Sequence, residues 1–119
     1  MENPDVIEEL FDRILIYINY CSSNEHDGNW FERRVHCDYD LWYVTDGCMR
    51  VSMQGMDYDV RKGDVVLFCP GMPYSAAAAG GACRFIFTHF DFVFGSNPPR
   101  VVDHLGVMGV IPAKAVEKE

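Results

Sequence analysis

The sequence predicts an all-β domain, an antiparallel barrel or sandwich preceded by one short helix, on three observations. Short runs rich in Val, Ile, Tyr, Phe and Trp recur from Trp30 to Phe94. Gly- and Pro-containing turn signals separate them, the spacing of an antiparallel all-β architecture. The chain has 119 residues, 49 % of them apolar, with eight Phe, six Tyr and two Trp. That suits one domain with a core of its own and needs no disulfide staples.

Taken in order, Asn3-Pro4-Asp5 reads as a helix start, with a capping Asn, Pro at the first helical position and acids in the first turn. Val6, Ile7, Leu10, Phe11 and Ile14 follow at helical spacing. Ile14, Ile16, Ile18 and Tyr20 then alternate with Leu15, Tyr17, Asn19 and Cys21, which predicts a strand with both faces partly covered. Ser22 to Asn29 reads as a polar loop. Strands are predicted over 30–37, 41–45, 49–53, 58–60, 65–69 and 84–94. The turns between them are Asp46-Gly47, Gln54-Gly55, Lys62-Gly63-Asp64 and Pro70-Gly71-Met72-Pro73. Ala76 to Ala82 reads as a small-residue loop, and Asn97-Pro98-Pro99 breaks the last long strand. The whole of 1–119 is thus one domain: helix and strand over 1–21, barrel over 28–94, tail over 100–119.

Eighteen acidic residues against ten basic ones give a net charge of −8. A domain that grips nucleic acid by itself needs a basic face to displace counterions, so direct DNA binding is not expected of this chain. The five cysteines contain no C-x-x-C pair, which excludes a zinc knuckle or a thioredoxin-like redox motif. Most of them sit in apolar runs, where a free Cys packs as a small hydrophobe, and a reducing, cytoplasmic location is expected. No signal-peptide pattern and no membrane-length apolar run is present in the sequence.

Two glycine-anchored segments carry the functional reading. One is Gly28-x5-Arg34-x-His36-x3-Asp40-x6-Gly47; the other runs from Gly63 through Pro70-Gly71 to Tyr74. Together they resemble the two-part signature of the cupin superfamily, whose first part is G-x5-H-x-H-x3-E-x6-G. The resemblance implies a cupin-like antiparallel β-barrel, a double-stranded β-helix. In metal-binding cupins two His, an acid and a late His converge on one cation. Here Arg34, His36, Asp40 and Tyr74 hold those four places. Arg34 repels a cation and Tyr74 is a weak ligand, so no metal and no other cofactor is expected, and His36 and Asp40 read as hydrogen-bonding wall residues.

The stretch from Arg33 to Gly47, with Asp38-Tyr39-Asp40-Leu41 and Tyr43-Val44-Thr45-Asp46-Gly47, is similar to the sensor domain of AraC-type transcription regulators. Thr88-His89-Phe90-Asp91-Phe92 looks like that family's H-F-D strand. The resemblance implies a bacterial regulator domain whose barrel binds a small polar effector, often a sugar. In the family, DNA is met through helix-turn-helix units that follow the barrel. No such units are seen in this chain, which is therefore expected to be the sensor part of a longer regulator, with a second copy of itself as a further partner.

Strand alternation assigns faces. Asp40, Trp42, Val44 and Asp46 share one face, and Phe85, Phe87, His89 and Asp91 share another. Met49, Val51 and Met53 serve either as a soft pocket wall or as core. The expected ligand-binding set is Arg34, His36, Asp40, Trp42, Tyr74 and His89, with Trp42 either an aromatic platform for a sugar or a core residue. The competing function is a small cupin enzyme, an isomerase or a dioxygenase, in which His36 and Asp40 would move a proton.

Overall fold

The computed structural model describes residues 14–94 and 109–111. Among them the chain is all β. The strands are β1 (Ile14–His26), β2 (Phe31–Arg34), β3 (Tyr39–Asp46), β4 (Cys48–Met53), β5 (Met56–Arg61), β6 (Val65–Phe68), β7 (Tyr74–Ala78), β8 (Cys83–Phe94) and β9 (Gly109–Ile111). They form two sheets, β1-β8-β3-β6-β9 and β2-β7-β4-β5, in which every pairing is antiparallel. The helix expected from Asn3 lies outside the described residues.

Alternation along each strand packs the two sheets face to face. Trp42, Val44, Val66, Phe68 and Phe85 from one sheet meet Met49, Val51, Met53, Val60, Tyr74 and Ala76 from the other in a single buried cluster. Met49, Val51 and Met53 are therefore core. At its centre Trp42 stacks on Phe85 at 4.2 Å and Phe68 on Tyr74 at 4.0 Å, while Trp42 meets Phe68 edge-on at 4.7 Å. Such pairs contribute roughly 0.5–1.5 kcal/mol each beyond the area they bury. Tyr39, Leu67, Cys69 and Phe90 form a second cluster on the opposite face of the five-stranded sheet.

The turns behave as their residues require. Gln54 and Gly55, at φ +52° and +75°, close β4 onto β5 as a tight two-residue hairpin. Gly47 sits at φ +77° between β3 and β4, and a Cβ there would run into the Ala82 carbonyl oxygen and come within 2.9 Å of Cys83 Cα. That position admits only glycine, for conformation and for space.

Several expectations are corrected. β1 runs on through Ser22–His26, where a loop is expected, because each residue pairs with β8 as far as His26 opposite Cys83. The alanine-rich stretch is a strand over Tyr74–Ala78, paired on both sides by β2 and β4. Leu15 to Ile18 and Tyr20 are exposed instead of partly covered. β3 begins at Tyr39 opposite Phe90, so beyond that point β8 has, among the described residues, only β1 paired with it, and a two-stranded ribbon buries little. Asp46 is exposed, because the register slips between Val44 and Asp46 and turns its side chain to cap Gly47 N at 3.0 Å. Of the cysteines, only Cys69 and Cys83 are buried; Cys21, Cys37 and Cys48 are exposed. No helix among the described residues is long and apolar enough to cross a membrane.

Candidate functional site

A cavity of about 210 Å³ opens between the two sheets, and all six residues expected from the sequence line it. β3 supplies Asp40 and Trp42, β8 supplies Phe85, Phe87 and His89, and β1 supplies Asn24. The opposite sheet supplies Glu32 and Arg34 from β2 and Tyr74 from β7, while His36 comes from the link between β2 and β3. Phe85, Phe87 and His89 fall on one face because β8 keeps strict period two. Asp91, on the same alternation, does not reach the cavity and instead lies 3.4 Å from Asn19 Nδ2.

Asp40 is the centre of the polar network. It is 2 % exposed, and its Oδ2 accepts a hydrogen bond from Trp42 Nε1 at 2.8 Å and lies 3.2 Å from His36 Nε2. Its Oδ1 is buried without a hydrogen-bond partner. Such a group is costly to leave unsatisfied in a protein interior. Trp42 is 2 % exposed with one ring face on Phe85, so it is a core residue that presents its N–H to Asp40. Stacking a ligand on that face is not open to it; Phe87, half-buried beside Tyr20, is the more accessible aromatic of the lining.

Tyr74 joins the two sides of the cavity. Its hydroxyl donates to Glu32 Oε2 at 2.6 Å and stands 3.0 Å from His36 Nε2. Burial, and then the hydrogen bond to Glu32 and the charges of Glu32 and Asp40, push the Tyr74 hydroxyl far above its ordinary range, so it stays a neutral donor. Arg34 is at the rim. Its side chain is 62 % exposed and leans on Glu32, Nε to Oε2 at 3.5 Å.

On the far side His89 Nδ1 faces Asp38 Oδ1 at 2.9 Å, and His89 Nε2 points to Asp40 Oδ2 at 3.7 Å. Asn19 donates to the other Asp38 oxygen at 2.9 Å. Asn19 is the extra residue of a bulge in β1, between the pairs Ile18–Phe90 and Tyr20–His89, and bulges re-aim a side chain in this way. Burial alone would raise the Asp38 carboxyl; the hydrogen bonds from Asn19 and His89 and the charges of His89 and His36 outweigh it and hold the carboxyl below its ordinary range.

Sequence reasoning missed Glu32, Asp38 and Asn24 as site residues; it put Phe85 and Phe87 on the face of His89 without naming them as part of the site. Glu32 stands two positions before Arg34 on one strand, so period two could have found it. Asp38 carries no such signal, because its partner lies 51 positions away.

The four motif places do not make a metal site: Arg34 is a cation paired with Glu32 and Tyr74 spends its proton on Glu32, which leaves His36 and Asp40. A different set converges, since His36, Asp40 and His89 each offer one donor atom and these lie within 4.8 Å of one another.

The known proteins agree with this architecture. A cupin superfamily protein from Desulfitobacterium hafniense is similar over 66 % of this chain and 77 % of its own, at TM-score 0.55 and 10 % identity. A predicted oxalate decarboxylase from Thermotoga maritima is similar over 75 % of this chain and 74 % of its own, at TM-score 0.56 and 13 % identity. An HTH_3 family transcriptional regulator from Vibrio cholerae is similar over 65 % of this chain and 50 % of its own, at TM-score 0.53 and 12 % identity. At these identities the likeness establishes the cupin fold alone. No curated relative matches the sequence. Residues 19–91, from the bulge at Asn19 to the last paired stretch of β8, match the family described as AraC-like ligand binding domain. The match spans well over half of the chain and contains every residue of the cavity, and the chain belongs to that family of effector-binding domains.

Proposed function

We propose that this domain is the sensor of a bacterial transcription regulator and that a small polar metabolite, a sugar or a compound of similar size, binds inside the barrel. The observation that carries the reading is the cavity itself, whose lining combines the aromatic Trp42, Phe85 and Phe87 with the polar Glu32, Arg34, His36, Asp40, Tyr74 and His89. A few convergent polar groups on an aromatic wall is the usual build of a small-molecule site, though at about 210 Å³ it is smaller than the roughly 300–1,000 Å³ of drug-sized pockets. Carboxylates at Glu32 and Asp40 accept from ligand hydroxyls, and the imidazoles and Arg34 supply donors. On this reading the domain binds its ligand without turning it over. Occupancy favours one of two arrangements of a neighbouring DNA-binding part, in a regulator that acts as a homodimer. The isolated chain, acidic overall, gives no sequence-dependent complex in a mobility-shift assay at moderate salt.

The test is a thermal-shift screen of monosaccharides and small organic acids, followed by tryptophan fluorescence. A ligand that binds only the folded state at a hundred times its Kd adds about 2.7 kcal/mol of stability, a shift of several degrees. A panel with no effect on either signal, or a hit whose binding survives Asp40→Asn and His89→Gln unchanged, overturns the reading.

A further inference from the structure

We propose that His36, Asp40 and His89 bind one divalent transition-metal ion at the polar end of the cavity, through a set of donors that differs from the four motif places of the cupin signature. The ion requires no effector, so the two ideas fail independently.

Geometry comes first. Donors about 2.1 Å from a common ion, at tetrahedral or octahedral angles, stand roughly 3.0–3.5 Å apart. Asp40 Oδ2 lies 3.2 Å from His36 Nε2 and 3.7 Å from His89 Nε2, and the two rings meet at 79° with centroids 4.8 Å apart. Small shifts bring all three onto one ion. Two imidazoles and one carboxylate, with no thiolate among them, suit a borderline ion such as Fe, Co, Ni or Zn in the divalent state.

The hydrogen-bond inventory makes the same point. Asp38 accepts from Asn19 through one oxygen and faces His89 Nδ1 at 2.9 Å with the other, an arrangement in which Nδ1 donates and carries the hydrogen. In the neutral ring Nε2 then presents a lone pair toward Asp40, itself an acceptor. Two acceptors aimed at one point are a mismatch unless a positive charge stands between them. Asp38 bonded to His89 Nδ1 is also the usual support of a metal-binding histidine, since it fixes the tautomer and raises the basicity of Nε2. Asn19 in turn fixes Asp38.

Asp40 keeps its Oδ2 toward both histidines, in a side chain almost wholly out of solvent whose Oδ1 has no hydrogen-bond partner, so the carboxyl has little but Trp42 to balance it. The cation that speaks against a metal in the motif, Arg34, is held by Glu32 at the rim with most of its side chain in solvent. With Glu32 and Arg34 paired to each other, the charge nearest the three donors is that of Asp38 and Asp40, which favours a cation.

The experiment is a titration of chelator-treated, effector-free protein with Co²⁺ and with Zn²⁺, in a Cys21→Ser, Cys37→Ser, Cys48→Ser background that removes the exposed thiols. Saturable binding near one ion per chain is expected, with cobalt bands typical of nitrogen and oxygen ligands. His36→Gln and His89→Gln each remove it, and Asp38→Asn weakens it about 10- to 100-fold while near-ultraviolet circular dichroism is unchanged. Should a histidine variant unfold, paramagnetic shifts of the His36 and His89 imidazole resonances in the otherwise unaltered protein decide the matter. Failure of both metals to saturate at millimolar concentration, or undiminished binding in the His36→Gln, His89→Gln double variant, overturns the proposal.

Discussion

His89 and Asp38, 51 positions apart, meet through Nδ1 and Oδ1 at 2.9 Å, and this one contact ties β8 to the segment that leads into β3. Because Asn19 holds the other Asp38 oxygen, three strands of the five-stranded sheet are fastened at the polar end of the cavity.

The contact makes stability depend on acid. The Asp38 carboxyl is held below its ordinary value of 3.8, so it binds a proton less readily folded than unfolded. Its contribution is fully present above about pH 5 and is lost as pH falls through the lowered folded value. Asp38→Asn is expected to flatten the fall in urea midpoint between neutral and acid pH, and an unchanged acid slope would show that Asp38 contributes nothing to it.

Tyr74 works in the opposite direction. Its hydroxyl is held far above the ordinary 10.0, so the unfolded chain gives up this proton before the folded one does. The stabilisation is complete below about pH 10 and is lost as pH rises beyond it. Tyr74→Phe should remove part of the alkaline loss of stability while leaving the stack on Phe68 in place. Ultraviolet titration should likewise show Tyr74 failing to ionise until the chain unfolds.

Trp42→Phe deletes the 2.8 Å donor to Asp40 Oδ2 in a place where Oδ1 already lacks one. A buried carboxylate deprived of a partner costs about 1–3 kcal/mol, and the variant should lose that much in chemical denaturation with an unchanged m-value. A loss of a few tenths of a kcal/mol would mean that the indole N–H matters little.

Two glycines with nearly the same φ should respond differently. Gly55 at +75° has open space where a Cβ would go, so Gly55→Ala meets only the left-handed backbone penalty of roughly 1 kcal/mol. Gly47 at +77° has the Ala82 carbonyl and Cys83 Cα in the way, so Gly47→Ala should cost more than twice that and impair folding. Equal melting temperatures for the two variants would refute the steric difference.

Much of this site could be read from sequence because strands repeat every two residues. Alternation groups Asp40 with Trp42, and Phe85 with Phe87 and His89, the family resemblance picks the faces that meet the pocket, and both sets line the cavity. Alternation failed where the strand itself was irregular: at Asp46, beyond a register slip, and at Asn19, which a bulge turns toward Asp38. Propensity misled over Tyr74–Ala78, since alanine is a poor strand former alone but fits between the two neighbours of a central strand. The polar end of β1 looked like a loop because its ladder is supplied by β8, far away in the chain.

That long ladder also sets the order in which the molecule can assemble. The pairs run from Ile14 opposite Phe94 to His26 opposite Cys83, so β1 must wait for β8, which is made after six intervening strands. Contacts this distant in sequence close late and slowly, in contrast to the β4–β5 hairpin, which can form at once. Asn19, Asp38 and His89 share one network only after that closure. A partly folded chain therefore has a formed hairpin and no cavity, and whatever occupies the cavity acts as a latch on the last step of folding, slowing unfolding more than it speeds folding.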